Sequence, residues 1–289
     1  MKLLLKFNLI FLLVFLIGLA GSSLVARDLL QRAAKEEVAD RARLLMEKAN
    51  AVSTYTASQI KPLLETQMKY TFLPQSVPAY SSAEVLAAMQ KAYPEYSFKS
   101  AMLNPTNPRD KAVAWEEDVV SQFRSSPEMK EFIGERETPT GTALYIARPI
   151  RISNPACLSC HTSPDMAPQT LVERYGPSNG FGWKLNETLG AQVVSVPMKV
   201  PMQRANQALM VVVGVLAAVF LLIGAALNFM LWKLVIQPVS QLSALADKVS
   251  LGEEAPEFVV KSKDEIGVLA ESFGRMRKSL AHAMKMLDA

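Results

Sequence analysis

Cys157-Leu158-Ser159-Cys160-His161 is the most informative stretch of this chain. C-x-x-C-H is the attachment signature of c-type haem. Two thiols three residues apart can each form a thioether to one haem vinyl, and the adjacent imidazole then lies under the iron. A haem held this way is a redox and gas-binding centre, tuned by its second axial ligand and its pocket. Three plainer readings compete. A thioredoxin-like thiol pair needs a βαβ setting and gives His161 no role. Structural zinc wants four Cys or His ligands. The chain has two of each, and His282 is expected on the other side of a membrane. A disulfide across so short a gap closes too small a loop to stabilise much. The expectation is one covalent haem c per chain, bound by Cys157 and Cys160, with His161 as metal ligand.

The motif sits in a mixed α+β segment. Residues 142–152 read as a strand of alternating and β-branched residues, and residues 192–200 as another. The motif and a Gly-rich loop, 176–182, lie between them. Residues 97–103 suggest a third strand, closed by the turn-forming run Asn104-Pro105-Thr106-Asn107-Pro108. Thr138-Pro139-Thr140-Gly141 reads as a further turn. Residues 111–123 read as a helix, and Ser126-Pro127-Glu128 as the start of another, with Pro in the first turn. Ser81-Ser82-Ala83-Glu84 resembles a capped helix start with Ser81 as cap. Tyr145, Arg148, Arg151 and Trp183 flank the motif. Tyr145 and Arg148 are candidate cofactor-binding residues, and Arg148 or Arg151 can pair with haem propionates through charge-assisted hydrogen bonds.

Two segments read as membrane helices. Across residues 3–26 only Lys6 interrupts about 24 residues, enough to cross a bilayer. A cleavage site ending at Ala26 would place Leu24 third from last, which is poor, so an uncleaved anchor is expected. Residues 209–232 carry no charge over a similar length. Lys2, Lys6 and Lys233 then mark the cytoplasmic side, and Trp232 an interface. Two crossings put residues 27–208 outside, where bacteria attach c-type haem. Residues 27–67 read as one long helix, without Gly or Pro until Pro62. Its apolar stripe is Val38, Ala42, Leu45, Ala49 and Val52. The net charge of +4 forms no basic stripe with interleaved aromatics, so nucleic acid is not an expected partner.

Beyond the second apolar segment, Val235, Val239, Leu242, Ala246 and Val249 keep heptad spacing. Ile266, Leu269, Phe273, Met276 and Leu280 do the same in a helix beginning at Asp264. Such seams call for coiled-coil partners, and a homodimer supplies a parallel four-helix bundle. Gly252 is placed to end the first helix. Glu253, Glu254, Asp264, Glu265 and Glu271 give a mixed polar face, unlike the basic face of a helix lying on lipid. The segment resembles a HAMP linker, carried by Ile236-Gln237-Pro238-Val239, Val249-Ser250-Leu251-Gly252 and Asp264-Glu265-Ile266-Gly267.

The outer segment resembles a family of single-haem c-type sensor domains. The matching residues include Pro74-Gln75-Ser76-Val77-Pro78, Tyr93-Pro94-Glu95-Tyr96-Ser97, Leu103-Asn104-Pro105, Asn154-Pro155-Ala156-Cys157 onward through His161, and Gly180-Phe181-Gly182-Trp183. The resemblance implies a PAS-like fold after a long N-terminal helix, covalent haem and a sensing role. In that family a second axial ligand can come from the N-terminal helix, including as a thiolate. This chain has no third Cys, so a Met thioether is the remaining soft ligand. Met46 on the long helix is the first candidate metal ligand. Met68, Met102, Met166, Met198 and Met202 are others. Core filling is the plainer role for each, and a five-coordinate or water-bound iron is a further alternative.

The expected architecture is therefore α+β. Residues 1–26 form a transmembrane helix, 27–208 a PAS-like haem domain, 209–232 a second transmembrane helix and 233–289 a HAMP helix pair. The function it implies is a sensor in the bacterial inner membrane with its haem domain periplasmic. It would pass a redox or diatomic-gas signal through a homodimeric HAMP to a separate cytoplasmic output protein. The alternatives are a membrane-anchored electron-transfer cytochrome c, and a non-haem module that detects a small organic molecule. No acidic pair or nucleophile–base constellation is legible, so no enzyme is expected.

Overall fold

A computed structural model describes residues 3–139, 141–251, 253, 256 and 264–287. Lys2, Thr140 of the expected turn, and Gly252 and Glu254 after the first HAMP-like helix lie outside the described residues. The chain divides into two units, Met1–Ala26 with Leu209–Ala289, and Arg27–Ala208.

In the first unit, the apolar part of α1 (Leu3–Tyr55) meets α7 (Lys199–Leu231). The two helical stretches containing them are long and apolar enough to cross a membrane. Phe15 packs on Phe220 with ring centroids 4.6 Å apart. A Cβ on Gly224 would lie 2.9 Å from the Phe11 ring, so the helices meet closely there. Asn8 and Asn228 exchange hydrogen bonds. Asn8 Nδ2 donates to Asn228 Oδ1 at 2.9 Å, and Asn228 Nδ2 returns one at 2.8 Å. Past α7 come α8 (Gln237–Ser250) and α9 (Glu265–Leu287), with Leu242 and Ala270 buried. Asp264 caps α9, accepting from the Ile266 and Gly267 N–H groups at 3.1 Å.

Both long helices loosen into a π turn just before a proline. Thr56–Ile60 precedes α2 (Lys61–Met68), and Trp232–Ile236 precedes α8. Pro62 and Pro238 lack an N–H and their rings exclude the carbonyl four residues back. The preceding residue in each case reaches one carbonyl further: Lys61 N–H bonds Thr56 O, and Gln237 N–H bonds Trp232 O.

The second unit is built on a four-stranded antiparallel sheet. Its strands are β1 (Ser97–Met102), β2 (Phe132–Thr138), β3 (Gly141–Arg151) and β4 (Thr188–Pro197), in the order β1-β4-β3-β2. Alternation along β3 and β4 makes two cores. Leu144, Ile146, Val194 and Val196 face α1, against Val38, Ala42, Leu45 and Met46. Val38, Ala42 and Leu45 belong to the apolar stripe read from the sequence, and Met46 joins them. Tyr145, Ala147, Ala191 and Val193 face the other way, against Val119, Val120 and Phe123 of α4 (Ala114–Ser125). Glu116 is almost wholly buried. It accepts from the Val113 N–H at the start of α4 and pairs with Lys99 Nζ at 2.7 Å.

Two local expectations fail. No helix starts at Ser126-Pro127-Glu128; the chain turns there and enters β2 as an edge strand. Ser81 does not cap α3 (Pro78–Ala92), which begins three residues earlier with Pro78 in its first turn. Proline's fixed φ suits that position better than a serine cap further on.

Candidate functional site

The motif lies on one and a half helical turns. Pro155–Cys157 form a 3₁₀ turn that runs into α5 (Leu158–His161). Asn154 starts the turn, its side chain accepting from the Ala156 N–H at 2.9 Å. Residues three apart on such a turn share a face, so Cys157 and Cys160 point to one side. Both are free thiols and partly buried.

His161 is held from several directions. Its Nδ1 lies 2.7 Å from the carbonyl oxygen of Gly180. A carbonyl only accepts, so Nδ1 carries the proton and Nε2 keeps its lone pair. The Thr106 hydroxyl lies 3.4 Å from the same nitrogen. Trp183 stacks flat on the imidazole, with centroids 3.8 Å apart and planes 9° from parallel. Burial pushes the His161 pKa below its ordinary value, with the Gly180 bond opposing. Main-chain bonds zip the two segments together: Gly182 N–H to Thr162 O at 3.0 Å and Trp183 N–H to His161 O at 3.2 Å. Gly180 has φ +82°, a left-handed conformation that favours glycine, and a Cβ there would run into Thr106.

This arrangement fits a C-x-x-C-H haem. A ligating histidine typically donates its second ring N–H to a carbonyl or carboxylate, which sets the tautomer. His161 does so with Nε2 left for a metal, beside two unpaired thiols on one turn. The donor set suits a macrocycle held by thioethers better than a bare ion. Among the described residues, no three His, Cys, Asp or Glu side chains come together as a metal cluster.

The other expected site residues have partners of their own. Tyr145 and Arg148 are three apart on β3 and so face opposite sides of the sheet. Tyr145 is buried between Trp115 and Phe132, its ring filling the space that a side chain on Gly134 would need. Arg148 is engaged by two carboxylates, Glu47 of α1 and Glu131, and Glu131 also binds Arg43 at 3.0 Å. Arg151 donates to the Pro127 carbonyl. Met46 is fully buried in the α1-facing core among Val38, Ala42, Leu45, Leu144, Ile146 and Met198. Thr106 is a site residue that sequence reasoning passed over as turn, and Gly180 entered only within the Gly-rich loop and the family resemblance, with no role at the imidazole. The signal available was the pair of Pro- and Gly-rich runs on either side of the motif.

The comparisons agree with this division. The Tll0287-like family model matches residues 31–197, more than half of the chain, and the HAMP domain model matches residues 230–282. A probable methyl-accepting chemotaxis protein of Bacillus thuringiensis is 32% identical over 110 residues, which cover 38% of this chain and 17% of that protein. The methyl-accepting chemotaxis protein TlpA of Bacillus subtilis is 26% identical over 106 residues, 37% of this chain and 15% of that one. The match thus spans less than a fifth of either relative's length. The crystal structure of the cyanobacterial heme-protein Tll0287 aligns with a TM-score of 0.44 and 18% identity, covering 56% of this chain and 95% of that one. The chain belongs to the Tll0287-like family and carries a HAMP domain behind its family domain.

Proposed function

We propose that this chain is a membrane-anchored sensor. It carries one haem c on Cys157, Cys160 and His161, outside the bacterial cytoplasmic membrane. A redox change or a diatomic gas at that haem alters the packing of α8 and α9 in a homodimer. One observation carries the reading: His161 has its Nδ1–H committed to the Gly180 carbonyl while two free thiols sit beside it on one helical turn. Bound haem supplies a one-electron couple and a gas-binding iron. The chain's own residues do the rest. Cys157 and Cys160 hold the group covalently, His161 Nε2 is the ligand, and Trp183 shields the imidazole face from water.

Boundaries at residues 26, 208 and 232 complete the proposal, with residues 27–208 outside and 233–289 inside. Lys6 and Lys233 support this orientation by the positive-inside rule. The chemotaxis-type relatives support a receptor role, with a separate cytoplasmic protein receiving the signal. The test uses the full chain from cells able to attach c-type haem. Absorption spectra are taken oxidised and reduced, with and without carbon monoxide, and cysteine cross-linking between α8 and α9 is followed in membranes. A covalent c-type spectrum, with cross-linking that changes on reduction or gas binding, is expected. Cross-linking indifferent to both would transfer the function to electron transfer. A colourless protein would remove haem from the reading altogether.

A further inference from the structure

Asn104 lies just after β1, far in sequence from both the motif and the Gly-rich loop, yet three hydrogen bonds tie it to that loop and to Trp183 just beyond it. Its Oδ1 accepts from the Gly180 N–H at 3.0 Å, and its Nδ2 donates to the Phe181 carbonyl at 3.0 Å. Its main-chain carbonyl accepts from the Trp183 indole N–H at 3.3 Å. Between the first two contacts lies the Gly180–Phe181 peptide, whose carbonyl receives the His161 Nδ1–H. A peptide plane that follows a glycine can turn through that residue's freer ψ. A single side chain gripping the N–H before it and the C=O after it removes that freedom.

We propose that Asn104 is the positioning residue for the His161 imidazole: its carboxamide pins the peptide that holds His161 as the Nδ1–H tautomer, and its main-chain carbonyl anchors the tryptophan that covers the ring. The proposal rests on the reading of His161 as the haem ligand. Asn104 acts through Gly180, Phe181 and Trp183. In a loaded protein its effect is on ligand basicity, because a ligating imidazole that donates its other N–H is the stronger electron donor.

Neutral imidazole free of such a bond divides between its two tautomers, which makes the tautomer the direct readout. The chain has only two histidines, His161 and His282. Full-length protein labelled with ¹⁵N-histidine and prepared without haem in detergent therefore gives two imidazole patterns, and His282→Gln assigns them. At about pH 8, above the ordinary histidine range, His161 is expected as the Nδ1–H form. Asn104→Leu, close in shape but unable to bond, is expected to lose that preference. Asn104→Asp, which keeps the acceptor for Gly180 N–H but cannot donate to Phe181, is expected to fall between, and it reports if the Leu variant does not fold. An Nε2–H tautomer in the wild-type chain, or Nδ1–H retained in every folded Asn104 variant, overturns the proposal. In the haem-loaded chain the midpoint potential is expected to rise in the Asn104 variants, and an unchanged potential counts against it. Failure of haem attachment would defeat the haem reading while the tautomer measurement still decides the role of Asn104.

Discussion

Asparagine holds two regions of this molecule, and it does so in opposite ways. At the motif, Asn104 bonds main-chain groups that an irregular loop leaves without helix or sheet partners. Between α1 and α7, Asn8 and Asn228 bond each other from one helix to the other. Asn228 adds a bond to Gly224 O, and Asn8 one to Leu4 O. The first arrangement shapes a site, because the bonded peptide sets where an imidazole points. The second sets a register, because two carboxamides meet at only one offset of the helices. The same side chain thus specifies a geometry in one place and an alignment in the other.

The largest expected effect tests the premise of the first region. Replacing both Cys157 and Cys160 by Ala should abolish covalent haem, read as loss of haem staining on a denaturing gel. The thiols are partly buried at the surface of a short turn, so the fold should survive. Retained covalent pigment would separate the motif from the cofactor.

Met46 comes next. It is fully buried in the α1-facing core, so Met46→Ala should cost about 2–5 kcal/mol in thermal or denaturant unfolding. Met46→Leu nearly conserves volume and should cost less than about 1.5 kcal/mol. The Leu variant removes the thioether, and its oxidised and reduced spectra should match the wild type if Met46 is a packing residue. A changed spectrum with little loss of stability would instead make Met46 the second ligand.

Two glycines measure how tightly the motif loop is shaped. Gly176 and Gly180 share a left-handed φ near +80°, but nothing lies within 4 Å of a Cβ added at Gly176, whereas one at Gly180 meets Thr106. Gly176→Ala should cost about 1 kcal/mol from backbone conformation alone. Gly180→Ala should cost about 2–3 kcal/mol, because Thr106 must also move. Equal losses would mean that the loop yields at Thr106, and that the His161 carbonyl partner is less firmly placed than its bonds suggest.

The parts of the fold that follow from periodicity are legible in the sequence. Of the α1 stripe, Val38, Ala42, Leu45 and Ala49 are buried as their spacing predicts, and Val52 is half-buried. The two apolar helices are equally plain, since each depends on neighbours within a few turns; of the expected heptad residues Leu242 is buried, while Val239, Leu269, Met276 and Leu280 are exposed. β2 is illegible for the opposite reason. Gly134, Glu135, Arg136 and Glu137 are poor strand formers, and the strand exists because β3 offers a free edge with which it pairs from Phe132 to Thr138. The site divides in the same way. Cys157, Cys160 and His161 are contiguous and therefore visible. Asn104, Thr106, Gly180 and Trp183 are brought together by non-local bonds, and around Asn104 the sequence shows a turn former and part of the family resemblance, but no link to His161. Tyr145 and Arg148, close to the motif in sequence, lie on opposite faces of β3, where Tyr145 joins a core and Arg148 pairs with Glu47 and Glu131.

The smallest expected effect decides whether the comparison between the asparagines is sound. In lipid, a polar pair between helices is worth about 0.6 kcal/mol on average and rarely above about 2 kcal/mol, because the separated helices also find partners for their polar groups. Asn8→Leu and Asn228→Leu should each weaken the helix pair by about 1 kcal/mol in micelle unfolding, each leaving one carboxamide without its mate. The double variant should cost less than the sum of the two, since the second substitution removes an amide that has already lost its partner. That shortfall is the coupling between the two residues. If the losses simply add, the amides act separately, through Leu4 and Gly224 on their own helices, and do not fix a register. If they do couple, a slip of α1 along α7 by one turn must break both bonds at once. The pair would then work as a detent between discrete alignments, which is the behaviour a helix pair needs if a change at one end is to be read at the other.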